Sequence, residues 1–138
     1  MDQQIIDKLQ NTTLSSSKLT HARLKHFSKI AQTSEDHISR IGMALSIKKG
    51  PISFDWKPSD LGKNEVPMSV LTSKQIRGKT IFKEDLLIFI ALANQHQLTE
   101  VHDNQWRSLM NLHWERGVQT LTEISSGQND WLRILAAL

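Results

Sequence analysis

The sequence predicts an all-α fold, a single compact helical domain of about four to six helices. Two observations support this fold class: apolar residues recur at helical spacing in several segments, and one segment carries its own start and stop signals. A chain of 138 residues is long enough for one domain with a core of its own. We expect residues 1–17 to form a flexible N-terminal arm and residues 18–138 to form the helical domain.

The central predicted helix runs from Thr33 to Gly50. Thr33 or Ser34 can cap it, acids occupy its first turn and lysines its last, and Pro51 ends it. Gly42 interrupts its apolar stripe, although a glycine inside a helix costs roughly 1 kcal/mol relative to alanine. Close approach of another backbone would explain this glycine. We expect that backbone to come from a second copy of the chain, so Gly42 is a candidate oligomer-interface residue.

Before the central helix, the polar run that ends in Ser15–Ser17 favours the flexible arm over a strand. Apolar residues from Leu24 to Ala31 then predict a first helix over Lys18–Gln32, with its basic residues on the outside. After the central helix, prolines and glycines indicate a long connection over Pro51–Lys79. A short helix is expected in it around Thr72–Arg77.

Three further helices are predicted in the C-terminal part. The segment Thr80–Gln97 contains L-L-I-F-I-A-L-A and favours a helix that is apolar nearly all round, at the domain centre or across a subunit interface. Asp103 is expected to cap a long helix that reaches Ile124. A short tail helix over Asp130–Leu138 is expected to pack back on the domain.

Composition limits the possible chemistry. No cysteine is present, which excludes zinc–thiolate sites, iron–sulfur clusters and cysteine nucleophiles. No apolar run is long enough for a membrane span and the first residues do not resemble a signal peptide, so we expect a cytoplasmic protein. The net charge of +3 arises in residues 1–50, where eight basic residues face four acidic ones. A local basic excess is compatible with nucleic acid binding.

Catalytic and cofactor motifs are not supported. Gly78-Lys79-Thr80 resembles the end of a phosphate-binding loop, but Ser73 stands where the first glycine is required. The six histidines show no metal-ligand spacing with a carboxylate, and no nucleophile–histidine–acid set can be identified. We therefore expect no metal, no cofactor and no enzyme activity.

Three blocks together resemble the DNA sulfur modification protein DndE family. They are I-S-R-I-G-M-A-L-S-I (Ile38–Ile47), S-K-Q-I-R-G-K-T-I-F-K-E-D-L-L-I-F-I-A-L (Ser73–Leu92) and L-H-W-E-R-G-V-Q-T-L (Leu112–Leu121). The resemblance implies a small all-α homotetramer that binds nicked double-stranded DNA within the DNA phosphorothioation system. Its implied partners are a cysteine desulfurase, an iron–sulfur ATP-pyrophosphatase-like protein and an SMC-like ATPase.

A DNA-binding, non-catalytic subunit would contact phosphates through lysine and arginine side chains. The candidates lie on the first two predicted helices: Lys18, Arg23, Lys25, Lys29, Arg40, Lys48 and Lys49. Two alternatives stay open. The chain could be a helical transcription regulator that reads sequence through its second helix, or a scaffold whose basic face meets an acidic partner protein.

Overall fold

The computed structural model describes residues 3–66, 68–97 and 101–125. Within these ranges the chain folds into six α-helices and one two-stranded ribbon, in agreement with the predicted mainly helical domain. In chain order the elements are α1 (Gln3–Asn11), β1 (Thr13–Ser15), α2 (Lys18–Ala31), α3 (Glu35–Lys49), β2 (Gln75–Arg77), α4 (Gly78–Phe82), α5 (Leu86–His96) and α6 (Trp106–Ser125). Among the described residues, no helix is long and apolar enough to cross a membrane.

The helices predicted over Lys18–Gln32 and Thr33–Gly50 are confirmed to within two residues at each end. Helix α2 begins after Ser17, whose hydroxyl accepts from the Thr20 amide, and ends at Gln32 in a left-handed conformation. Helix α3 begins after Ser34, whose hydroxyl accepts from the His37 amide. Local capping chemistry therefore fixes both helix starts.

The flexible arm predicted over residues 1–17 is wrong for the part of it that the structure describes. Residues 3–11 form α1, with Leu9 buried, and residues 13–15 form β1. β1 pairs antiparallel with β2, and Leu14 lies opposite Ile76, both buried. The same pairing replaces the short helix expected around Thr72–Arg77. A strand of three residues is too short for alternation to identify it in the sequence.

The predicted helix in Thr80–Gln97 is divided. Lys83 has φ of 48°, and a 3₁₀ turn at Lys83–Asp85 separates α4 from α5. Ile90 and Ala93 of α5 are buried, whereas Ile88 and Leu92 are exposed. The position at the domain centre was therefore wrong, because α5 has only one face on the core; the alternative position across a subunit interface stays a prediction.

The start of the last long helix also differs from the prediction. Asp103 opens a 3₁₀ turn that leads into α6, and the residue before this turn is His102, whose amide donates to the Gln105 side chain and whose carbonyl accepts from the Gln105 amide. The tail helix expected over Asp130–Leu138 lies outside the described residues.

Helices α3 and α6 form the centre of the domain. Gly42 of α3 faces the backbone of Gly117 and Val118 in α6, so the backbone approach predicted at Gly42 is real. Its source was predicted wrongly, because the approaching backbone belongs to the same chain. Around this crossing lies the core, which consists of Leu9, Leu14, Leu24, Phe27, Ile38, Met43, Ile47, Ile52, Ile76, Ile81, Phe82, Leu86, Ile90, Ala93, Val101, Trp106, Leu109, Met110, Trp114, Val118 and Leu121.

Arg116 of α6 completes the crossing at the C-terminal end of α3. Its guanidinium donates to the carbonyl oxygens of Ser46, Gly50 and Pro51 at 2.7, 2.6 and 2.8 Å. The Ser46 carbonyl is left without its usual partner because the Gly50 amide donates to Ile47, and the Gly50 and Pro51 carbonyls follow the helix end. A cation at a helix C-terminus also complements the dipole. Burial lowers the pKa of Arg116, but a guanidinium stays charged in proteins.

The two glycines at the crossing should respond differently to alanine. A Cβ on Gly117 would overlap the backbone of Gly42 far inside contact distance, whereas a Cβ on Gly42 would meet its nearest atoms at 3.1 to 3.2 Å. We expect Gly117→Ala to lower the free energy of unfolding by about 3 kcal/mol or more, because the helices must separate. Gly42→Ala should change it by about 1 kcal/mol or less, since helix propensity offsets the crowding. Urea denaturation measures both; equal losses would contradict the geometry.

Candidate nucleic-acid interface

Three of the predicted DNA contacts lie together on the outer face of α2. Lys18, Lys25 and Lys29 are exposed, and their spacing of seven and four residues places them on one side of the helix. With a rise of 1.5 Å per residue, they extend over about 16 Å. We call these three lysines the α2 basic face. None of them forms an ion pair or side-chain hydrogen bond with a residue that the structure describes.

Acidic groups near α2 are occupied by other partners. The helix contains no acidic residue. Glu35, at the start of α3, lies 3.3 Å from the Nε2 of His21 and 3.8 Å from the Nζ of Lys74, and the Nζ of Lys74 also lies 3.2 Å from Asp36. Neither of these two carboxylates is paired with a lysine of the α2 basic face.

Arg23 is not available for DNA, which corrects its place among the predicted contacts. Its side chain is fully buried, and its Nη2 lies 2.6 Å from the Glu65 carboxylate. It also donates to the Ser59 carbonyl and, at 3.2 Å, to the Gln119 side chain. Arg23 therefore joins α2 to α6 and to the connection between α3 and β2. The sequence of α2 shows only that residue 23 is basic. Its burial depends on Glu65, 42 residues further along the chain, which only the tertiary structure brings close.

Arg40 lies in a different environment from the lysines of the α2 basic face. Its side chain is only 25% exposed, and its Nη2 lies 3.4 Å from Asp85, just before α5. A phosphate would have to compete with this carboxylate. Arg40 thus belongs mainly to the contact between α3 and the turn before α5.

The remaining predicted contacts lie apart from the α2 basic face. Lys48 and Lys49 are exposed in the last turn of α3, about 20 Å along that helix from the corner with α2. Gly42, predicted as an oligomer contact, is buried against α6 and cannot take that role. The structure therefore brings together three of the seven predicted cations.

Metal and nucleotide-loop chemistry find no support in the described part of the chain. It contains no group of three or more histidine, aspartate or glutamate residues that could hold a metal ion. Gly78, which begins the G-K-T sequence, instead contacts α1: a Cβ there would overlap the carbonyl oxygen of Leu9. This glycine therefore serves packing rather than a phosphate nest.

We expect Arg23→Met to lower the free energy of unfolding by about 3 kcal/mol, because the Glu65 carboxylate would lose its buried partner. Salt dependence of DNA binding should be unchanged, since Arg23 contacts no phosphate. Chemical denaturation and a salt titration of DNA affinity measure the two effects. If the variant is as stable as the wild type and its DNA affinity depends less on salt, Arg23 contacts phosphate and the assignment made here is wrong.

The Arg23–Glu65 contact should also make stability depend on pH. Partial burial alone would raise the pKa of Glu65, but hydrogen bonds from Arg23 and from the Val66 and Leu61 amides, with the Arg23 charge, lower it below its ordinary value of 4.5. Its stabilisation is therefore complete above pH 4.5 and is lost as pH falls through the lower pKa of the folded state. Wild type and Glu65→Gln, unfolded in urea at several pH values, should converge in acid; a constant difference would contradict this assignment.

No protein-family model matches this chain, and no curated protein matches it.

Proposed function

We propose that this protein is a non-catalytic DNA-binding subunit that holds double-stranded DNA, nicked duplex in particular, through the α2 basic face. The observation that carries the proposal is the row of exposed lysines at positions 18, 25 and 29, without an acidic residue in the helix that bears them.

The row suits a phosphate backbone better than a base edge. Lysine is a flexible point charge, and its affinity for DNA comes mainly from the release of counterions condensed on the phosphates. Bidentate side chains that read bases, such as arginine, asparagine or glutamine, are missing from the three positions. The proposed binding is therefore nearly independent of DNA sequence, which is what a subunit that recognises a break would need.

The proposed system is DNA phosphorothioation, on the resemblance of the three blocks to the DndE family. In that setting the sulfur chemistry belongs to the implied partners, the cysteine desulfurase, the iron–sulfur ATP-pyrophosphatase-like protein and the SMC-like ATPase, and this cysteine-free chain supplies DNA binding in the cytoplasm. A homotetramer is also part of the proposal, through the resemblance alone. Several copies of a weak basic face on one duplex would raise the overall affinity.

The test replaces two lysines without reversing their charge. Lys25→Gln with Lys29→Gln should weaken binding to nicked duplexes of unrelated sequence equally. The slope of log affinity against log salt concentration should become shallower by about two, because each phosphate contact contributes about 0.9. Fluorescence anisotropy at several salt concentrations measures both quantities.

The matched control removes the same charge elsewhere. Lys8 and Lys79 are exposed on α1 and α4, which contact each other on another part of the domain. Lys8→Gln with Lys79→Gln should leave the slope nearly unchanged. If the two double variants change the slope equally, the α2 basic face is not the DNA-binding surface.

Two other outcomes indicate the alternative functions. Strong preference for one DNA sequence would indicate the transcription regulator, and no binding at low salt would indicate the scaffold with an acidic partner protein.

A further inference from the structure

A cavity of about 460 Å³ opens between the end of β1, the first half of α6 and the turn after Ile52. This volume lies in the range of small-molecule sites. Its lining consists of Ser15, Phe54, Arg107, Ser108, Asn111 and Leu112. Ser15 comes two residues before Ser17, the N-cap of α2, so the cavity lies at the start of the helix that carries the α2 basic face.

The polar groups of the cavity are mainly hydrogen-bond donors. The Ser15 amide donates to the Oδ1 of Asn111 at 3.0 Å, and because an amide N–H can only donate, this contact fixes the orientation of the Asn111 side chain. Its NH₂ group is then left for another acceptor. Arg107 uses Nε and Nη2 on the Thr13 carbonyl, at 3.0 and 2.8 Å, and its Nη1 makes no hydrogen bond with a described residue.

One wall of the cavity is aromatic. Phe54 is 40% exposed, in a turn that Ser53 closes by accepting from the Asp55 and Trp56 amides. The turn fixes the backbone that carries the Phe54 ring, and Leu112 adds apolar surface to the lining. No acidic residue is among the described lining residues. The occupant should therefore be flat, rich in acceptors and negatively charged.

We propose that this cavity binds a single unpaired nucleotide. The base stacks on Phe54, its carbonyl and ring-nitrogen acceptors receive hydrogen bonds from the Asn111 amide and the Ser108 hydroxyl, and its phosphate lies at Arg107. Nucleobases have both features, a π-face for an aromatic ring and acceptors on their edges. The nucleotide is either free in solution or part of a DNA strand, and only the second source rests on the function proposed above.

The first experiment uses the four deoxynucleoside 5′-monophosphates and the full chain, without DNA. Titration followed by ¹H–¹⁵N NMR should shift the Asn111 side-chain amide and the Phe54 and Ser108 backbone amides. Phe54→Ala should weaken binding about tenfold or more, whereas Phe54→Trp should retain it, because the ring supplies the stacking. Arg107→Gln should remove the preference for a monophosphate over its nucleoside. Leu71→Ala, which shortens an apolar side chain that is 91% exposed, is the matched control and should have no effect.

The second experiment identifies the source. It compares a fully paired nicked duplex with the same duplex carrying one unpaired nucleotide at the nick. Tighter binding of the second duplex that disappears in Phe54→Ala assigns the cavity to DNA; monophosphate binding with equal affinity for both duplexes assigns it to a free nucleotide. The proposal is overturned if no monophosphate shifts these amides at millimolar concentration and Phe54→Ala leaves both duplex affinities unchanged. The proposed role of the α2 basic face is tested separately, by the affinity of the lysine variants for the fully paired nicked duplex.

Discussion

The contact on which the rest of the domain depends is the backbone approach between α3 and α6. It requires glycine at position 117, because a Cβ there would overlap the backbone of Gly42, whereas a Cβ on Gly42 would meet its nearest atoms at 3.1 to 3.2 Å. With the axes this close, Ser46 reaches the His113 ring at 2.8 Å and Arg116 reaches the final carbonyls of α3. Packing, a buried polar pair and a helix cap therefore depend on one short distance between two backbones.

The other elements are held to α3 and α6 by a few specific hydrogen bonds and one ion pair. The ribbon of β1 and β2 holds the N-terminal segment against α4, and Arg23 holds the connection between α3 and β2 to α2 and α6. The strand pairing and the Arg23 contacts both join residues that are far apart in sequence. The long connection is thereby positioned by an ion pair and backbone hydrogen bonds, although few of its apolar residues are buried.

Sequence reasoning predicted the parts of the structure that local chemistry determines. Caps, dipole charges and helical spacing identified α2 and α3, and the cost of Gly42 correctly indicated a close backbone. The same reasoning failed where distant residues decide: β1 needs β2 for its hydrogen bonds, Gly117 rather than a second chain faces Gly42, and the burial of Arg23 depends on Glu65. For the candidate site, the helical spacing of α2 correctly predicted that Lys18, Lys25 and Lys29 are exposed. It could not show that Arg23 is buried.

The way α2 is held has a consequence for the thermodynamics of binding. Its first turn is capped by Ser17, whose amide donates to the buried Glu115 carboxylate, its middle is fixed by Arg23, and its end is closed by the left-handed Gln32. The Cα positions of the three lysines are thus set before any anion arrives. In the proposed complex with DNA, ordering on contact would be confined to the flexible lysine side chains, so association would not carry the additional entropy cost of forming the helix.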